Sequence, residues 1–133
     1  MAFKKRTGVA SSTGATGSVT IGLGASYGKL VQFAIKNAGT DTSMDYTITD
    51  ADGYIAFTAS AKDYATAKVI NCLGIDDSTT PSATVIGAMD ATGTESTAGA
   101  GLQPVLRSPV TCAYAADGGS FDAVVTFDLY VEV

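Results

Sequence analysis

The 133-residue sequence contains no histidine and no tryptophan. Histidine is the commonest general base and metal ligand at neutral pH, so its absence excludes most hydrolase triads. Two cysteines without a histidine are too few for a zinc site. The Gly-rich segments at residues 14–17 and 22–28 match neither the phosphate-binding loop nor the dinucleotide fingerprint, and we interpret them as turns. No cofactor is therefore expected, and the protein is predicted not to be an enzyme.

Charged residues are also scarce, at 16% of the chain, and 13 Asp and Glu outnumber 8 Lys and Arg. Binding to nucleic acid needs a concentrated excess of positive charge that displaces counterions from phosphates, so no nucleic-acid partner is expected for the chain as a whole. The local exception is the cluster Lys4, Lys5 and Arg6. This cluster is either a solvated tail or a partner-binding segment, suited to a carboxylate-rich protein surface or to nucleic acid.

Long apolar runs are missing as well. None approaches the ~18 residues of a membrane span, and none follows the N-terminal cations as in a signal peptide. We therefore expect the chain to start at its own initiator, Met1, to remain in a soluble compartment and to have no membrane partner. In a protein made in the cytoplasm, two buried thiols are the commoner state of Cys72 and Cys112, and one disulfide is the alternative if their strands are adjacent.

What the sequence does contain is apolar alternation with a period of two, the spacing that places every second side chain on one face of a β-strand. The most regular run is the odd-numbered one from Phe121 to Val133. At thirteen residues it is predicted to bend, carry a bulge or extend beyond its own sheet. Strands are also predicted at residues 18–23, 30–36, 46–49, 54–57, 68–73, 84–89 and 110–114, and a short helical turn at 60–67. The pattern predicts an all-β protein, an antiparallel β-sandwich or jelly-roll-like domain.

Residues 50–53, with the sequence Asp-Ala-Asp-Gly, predict a β-hairpin turn, because Asp bonds its own backbone and Gly53 accepts positive φ. A calcium site at Asp50 and Asp52 is the alternative, although further oxygen ligands and a distal Glu are missing. A second carboxylate pair, Asp76 and Asp77, raises the alternative of glycosidase chemistry. Both pairs lie in predicted turns, which favours a structural role.

Two segments lack periodicity. Residues 1–17 are predicted to be an extended N-terminal arm in front of a sandwich domain at 18–133, with a reach of up to ~55 Å. Residues 90–101 are expected to be mobile or ordered by a partner. The candidate partner-binding residues are the exposed cations and apolar residues of the arm: Phe3, Lys4, Lys5, Arg6 and Val9.

Four segments together resemble the small decoration, or cement, proteins of tailed-bacteriophage heads. They are the arm, the hairpin at 46–53, the strand at 108–114 and the strand at 124–131. The resemblance implies β-rich subunits, often homotrimers, that are made in the host cytoplasm and bind the major capsid protein on the capsid exterior. A receptor- or glycan-binding module of a tail fibre or surface appendage is the alternative, and a filament or pilus subunit is a third.

Overall fold

In the computed structural model of the protein, the described residues are 3–12, 14–40, 43–72, 85–89, 95–96, 104–117 and 122–133. They form eleven β-strands and no helix, arranged as two sheets that pack together, so the predicted all-β sandwich is confirmed. The strands are β1 (Phe3–Ser12), β2 (Thr16–Ile21), β3 (Tyr27–Asn37), β4 (Met44–Thr49), β5 (Ile55–Lys62), β6 (Lys68–Asn71), β7 (Val85–Met89), β8 (Glu95–Ser96), β9 (Val105–Arg107), β10 (Val110–Ala116) and β11 (Ala123–Glu132).

One sheet has seven strands, in the order β1-β11-β3-β6-β7-β8, with β9 pairing the first residues of β3. The other sheet has four strands, in the order β2-β10-β4-β5. All pairs are antiparallel except β6 with β7. The hairpin predicted at residues 50–53 connects β4 to β5, as expected.

The core lies between the two sheets, and β11 shows how alternation builds it. Its odd-numbered residues from Ala123 to Val131 are all buried. The register of β11 against β3 shifts between Tyr130 and Val131, where the extra residue is Val31 of β3. The bulge therefore lies in the neighbouring strand and not in the long strand for which a bend, a bulge or an extension was predicted. Phe33 and Phe57 meet edge to face, 4.7 Å between ring centroids, where the sheets are in contact. The largest fully buried side chains are Tyr46, Phe33, Phe57, Phe127, Leu23, Leu30, Ile35, Met44, Ile48, Ile70 and Leu106.

The N-terminal segment is extended, as predicted, but it does not lie in front of the domain. All ten residues of β1 pair with β11, from Phe3 opposite Glu132 to Ser12 opposite Ala123. No apolar alternation is visible in this segment because the inward positions of β1 include the small residues Gly8 and Ala10. Gly8 has to be small, since an added Cβ would lie 2.8 Å from the Ile21 side chain of β2.

The helical turn predicted at residues 60–67 is absent. β5 continues to Lys62, and Ala59 is an inward residue of this strand at 4% exposure. Within the predicted turn, Ala61 is exposed and has a positive φ of 54°, a backbone conformation outside the right-handed helical region. Most of residues 90–101, the Asp76–Asp77 pair and Phe121 lie outside the described residues.

Candidate interaction surface

The terminal strand β1 forms one margin of the seven-stranded sheet, with β11 as its single strand neighbour among the described residues. In an antiparallel pair, alternate residues bond the partner and the others direct their N–H and C=O groups away from it. A row of backbone donors and acceptors therefore points outward along β1. Such an edge is where a strand from another protein can pair.

The five predicted partner-binding residues all lie on β1, but on two different faces. Phe3, Lys5 and Val9 are on the outer face of the sheet, and Phe3 and Val9 are 72% and 51% exposed. Lys4 and Arg6 have the opposite orientation. Lys4 is exposed, whereas Arg6 is half-buried, with its guanidinium over Gly24.

Lys5 is held against its own sheet. Its Nζ lies 3.9 Å from the Asp128 carboxylate and 5.9 Å from the centroid of the Tyr130 ring. Thr7 donates its hydroxyl to the same carboxylate at 2.6 Å. The cluster predicted at residues 4–6 is therefore split, with Lys4 free to meet a partner and Lys5 engaged with β11.

A second group of exposed apolar side chains lies at the end of the same sheet. Tyr27 is 57% and Val105 58% exposed, and they flank a shallow, open depression of about 270 Å³. Sequence reasoning missed both residues, because Tyr27 fell in a segment interpreted as a turn and Val105 in one without a predicted element. The remaining residues that line the depression are Gly28, Lys29, Glu132 and Val133.

Asp50 fixes the hairpin next to this end of the sandwich. Its carboxylate accepts the backbone N–H groups of Asp52 and Tyr54 at 2.9 Å and that of Arg107 at 3.0 Å. Burial by itself raises the pKa of Asp50, but the three N–H donors and the Arg107 charge hold it below the ordinary value. Asp52 pairs with the Arg107 guanidinium. Both carboxylates of the alternative calcium site thus have structural partners.

The outer face of the four-stranded sheet has a shallow depression of about 470 Å³. Short side chains line it, including Thr16, Ser18 and Thr47, together with one carboxylate, Asp45. Asp45 accepts the Ser60 hydroxyl at 3.2 Å and the Ala61 N–H at 2.9 Å. The depression therefore presents hydroxyl and methyl groups around an engaged carboxylate.

Cys72 and Cys112 are free thiols, which is the commoner of the two states predicted from the sequence. Both are buried, and burial raises the pKa of Cys72 and of Cys112 to about 12. Thiols with so high a pKa are neutral and unreactive at physiological pH.

Within the described residues, no group of three or more Cys, Asp or Glu side chains is arranged to hold a metal ion. That part of the chain also contains no helix long and apolar enough to cross a membrane.

Comparison with known proteins adds little to this geometry. No protein-family model matches the chain, and no curated protein matches it. Among solved structures it is similar to PfGH50B, with a TM-score of 0.39 and 9% sequence identity. The similarity covers 99% of this chain and 23% of that one, so the chain spans about a quarter of PfGH50B.

Proposed function

We propose that this protein is a non-enzymatic structural component of a tailed-phage virion, which binds the outer surface of the capsid and stabilises it by bridging major capsid subunits. The observation that carries the proposal is β1, a ten-residue strand at a sheet margin with exposed cationic and apolar side chains on an acidic chain. An open strand edge offers main-chain hydrogen bonds to an extended segment of a partner.

The two halves of β1 suit two steps of such binding. Among residues 3–6, the exposed Lys4 attracts an acidic partner surface. Lys5 and Arg6 contact their own domain and add positive charge that discourages wrong pairing at that end of the edge. Residues 7–12 are uncharged and without proline, and Val9 projects from them into solvent. Many copies on one shell then act at high effective concentration, so modest individual contacts add up to stable decoration.

The test uses capsids of the tailed phage or prophage whose genome encodes this chain, prepared without it. Purified protein is added, the capsids are sedimented, and the bound fraction and the temperature of capsid disruption are measured. We expect saturable binding and a higher disruption temperature. Lys4→Glu and Val9→Glu should each weaken binding about tenfold, which corresponds to about 1.4 kcal/mol.

The matched control is Lys62→Glu, which reverses another exposed lysine, on β5 of the other sheet. It changes the net charge by the same amount as Lys4→Glu and should leave occupancy unchanged. Absence of binding by the unmodified protein contradicts the proposal, as does an equal loss of binding in the Lys62 variant.

A receptor- or glycan-binding role is the second candidate, favoured by two exposed tyrosines near one end of the sandwich. Tyr27 lies opposite Arg107 in the β3–β9 pair, and the Tyr54 N–H shares the Asp50 carboxylate with Arg107. Exposed aromatic rings are suited to stacking on ligands. A glycan array is the test: hits that disappear in Tyr27→Ala support this role, and an empty array rejects it.

A further inference from the structure

Four adjacent strands of the seven-stranded sheet place their side chains in one row. Phe3 of β1 is opposite Glu132 of β11, Glu132 is opposite Lys29 of β3, and Lys29 is opposite Val105 of β9. Residues directly opposite in a β-ladder share a face, so these four side chains all lie on the outer face. We call them the four-strand row.

The order of side chains along the row is apolar, acidic, basic, apolar. Its two ends, Phe3 and Val105, are 72% and 58% exposed. The two charged groups in its centre make no ion pair with each other or with other described residues. The row is complementary to its own reversed copy. When a second row is turned end for end and placed against the first, Glu132 faces Lys29 and Phe3 faces Val105.

We infer that two copies of this chain pair face to face through the four-strand row, about a two-fold axis that runs between β11 and β3. Phe3 of each copy then covers Val105 of the other, and Lys29 of each copy faces Glu132 of the other. A two-fold interface requires such a self-complementary patch. The inference extends the proposed function, because paired copies would contact two capsid sites at once. It rests on the proposed function in that respect alone.

The surface beside Val105 strengthens the fit. A shallow, open depression of about 270 Å³ is lined by Tyr27 and Val105 and by Lys29 and Glu132 of the row, so Phe3 of the second copy would pack at its Val105 side. An aromatic side chain packed into a depression on the partner is the kind of contact that dominates protein interfaces. The two-fold arrangement differs from the trimers implied by the resemblance to decoration proteins.

Disulfide cross-linking tests the geometry with the full chain. In one copy, Phe3 and Val105 are three strand spacings apart, about 14 Å, which is too far for a disulfide. In the proposed pair, each Phe3 lies against the other copy's Val105. The double variant Phe3→Cys, Val105→Cys should therefore oxidise to a covalent dimer on a non-reducing gel.

The native thiols of Cys72 and Cys112 are buried and should not take part in the cross-linking. The control is Val9→Cys with Val105→Cys, where Val9 is exposed on the same strand but lies outside the row. It should stay monomeric on the gel. Equal cross-linking of both double variants would overturn the inference.

Light scattering on the unmodified chain and on charge variants provides the second measurement. The chain has a mass of 13.4 kDa, and the pair should appear at twice that value. Lys29→Glu and Glu132→Lys should each shift the mass toward the monomer, and the combined variant should restore the dimer, because opposite charges face again. Thermal unfolding of the same variants separates this effect from a loss of fold.

A monomer at all concentrations up to about 100 µM, a trimer, or no rescue by the combined variant each overturns the inference. The proposed function fails separately, in the capsid-binding assay. A dimer that does not bind capsids would leave the pairing in place and remove the proposed function.

Discussion

The backbone N–H of Arg107 donates to the carboxylate of Asp50 across 3.0 Å, and this bond joins the hairpin between β4 and β5 to strand β9 of the other sheet. The connection is reciprocal, since the N–H of Ala51 donates to the carbonyl of Arg107 at 3.0 Å. One buried carboxylate thus holds together the end of the sandwich where Tyr27 and Val105 are exposed.

Replacing Asp50 by Asn should lower the free energy of unfolding at pH 7 by about 1.5–3 kcal/mol, the range for hydrogen bonds to a charged group. The amide keeps the shape of the carboxylate but places an NH₂ group against backbone donors. Urea denaturation measures the effect. Asp52→Asn is the control, because Asp52 is exposed and its ion pair contributes little.

The stabilisation of the fold by the Asp50 carboxylate should decrease at acid pH. The pKa of Asp50 in the folded protein lies below its ordinary value of 3.8. Its contribution to stability is therefore complete above the ordinary value and is lost as the pH falls through the lower, folded-state pKa. The stability difference between the unmodified protein and Asp50→Asn should shrink in that acid range. A difference that is constant from pH 7 to pH 2 would contradict this explanation.

Gly17→Ala should destabilise the protein, because the Tyr114 ring lies directly against Gly17 of the neighbouring strand. An added Cβ would be 2.5 Å from the ring, so either the ring or the strand has to move. Overpacking of this kind lowers the free energy of unfolding by about 1–3 kcal/mol. Gly22→Ala is the control, since no atom of the described part of the chain lies within 4 Å of its added Cβ. Equal melting temperatures for the two variants would refute the packing argument.

Tyr114→Phe should leave the stability unchanged or increase it by up to about 1 kcal/mol. The Tyr114 side chain is 2% exposed, and its hydroxyl has no hydrogen-bond partner among the described residues. Removal of a desolvated, unsatisfied hydroxyl removes its penalty while the aromatic packing stays. Thermal unfolding measures the change, and a loss of more than 1 kcal/mol would show that the hydroxyl is bonded.

The two thiols should be inert in the folded protein. With a pKa of about 12, only about one thiol in ten thousand is ionised at pH 8. We expect no reaction with a thiol reagent such as DTNB under native conditions and two reacted thiols per chain in guanidinium chloride. Rapid native labelling of either cysteine would contradict the buried positions.

β11 was predictable from its strong apolar alternation, and the hairpin at residues 50–53 was predictable from its Asp and Gly residues. Both signals depend only on residues that are close together in the sequence. β1 was missed as part of the sheet for the opposite reason. Its inward residues include Gly8 and Ala10, and the approach of Ile21 from a strand of the other sheet requires position 8 to be small. A constraint that comes from a neighbouring strand leaves no periodic signal in the sequence.

The candidate surface was only partly predictable. Exposure of Phe3 and Val9 followed from their place in a polar segment, but the four-strand row depends on register. Lys29, Val105 and Glu132 are far apart in the chain, and only the pairing of β3 with β9 and β11 brings them together. Sequence patterns indicate which side chains share a face of one strand, whereas cross-strand neighbours follow from topology.

The position of β11 between β1 and β3 also has a kinetic consequence. Thr7 and Asp128, hydrogen-bonded across the β1–β11 pair, are 121 positions apart, so almost the entire chain has to be gathered before this pair can close. Contacts between residues so far apart in the sequence slow folding, because the conformational entropy of a large loop is lost before the two strands form their hydrogen bonds. A nascent chain that has not yet acquired β11 would hold two unpaired edges, and during that interval it depends most on dilution or chaperones to avoid aggregation.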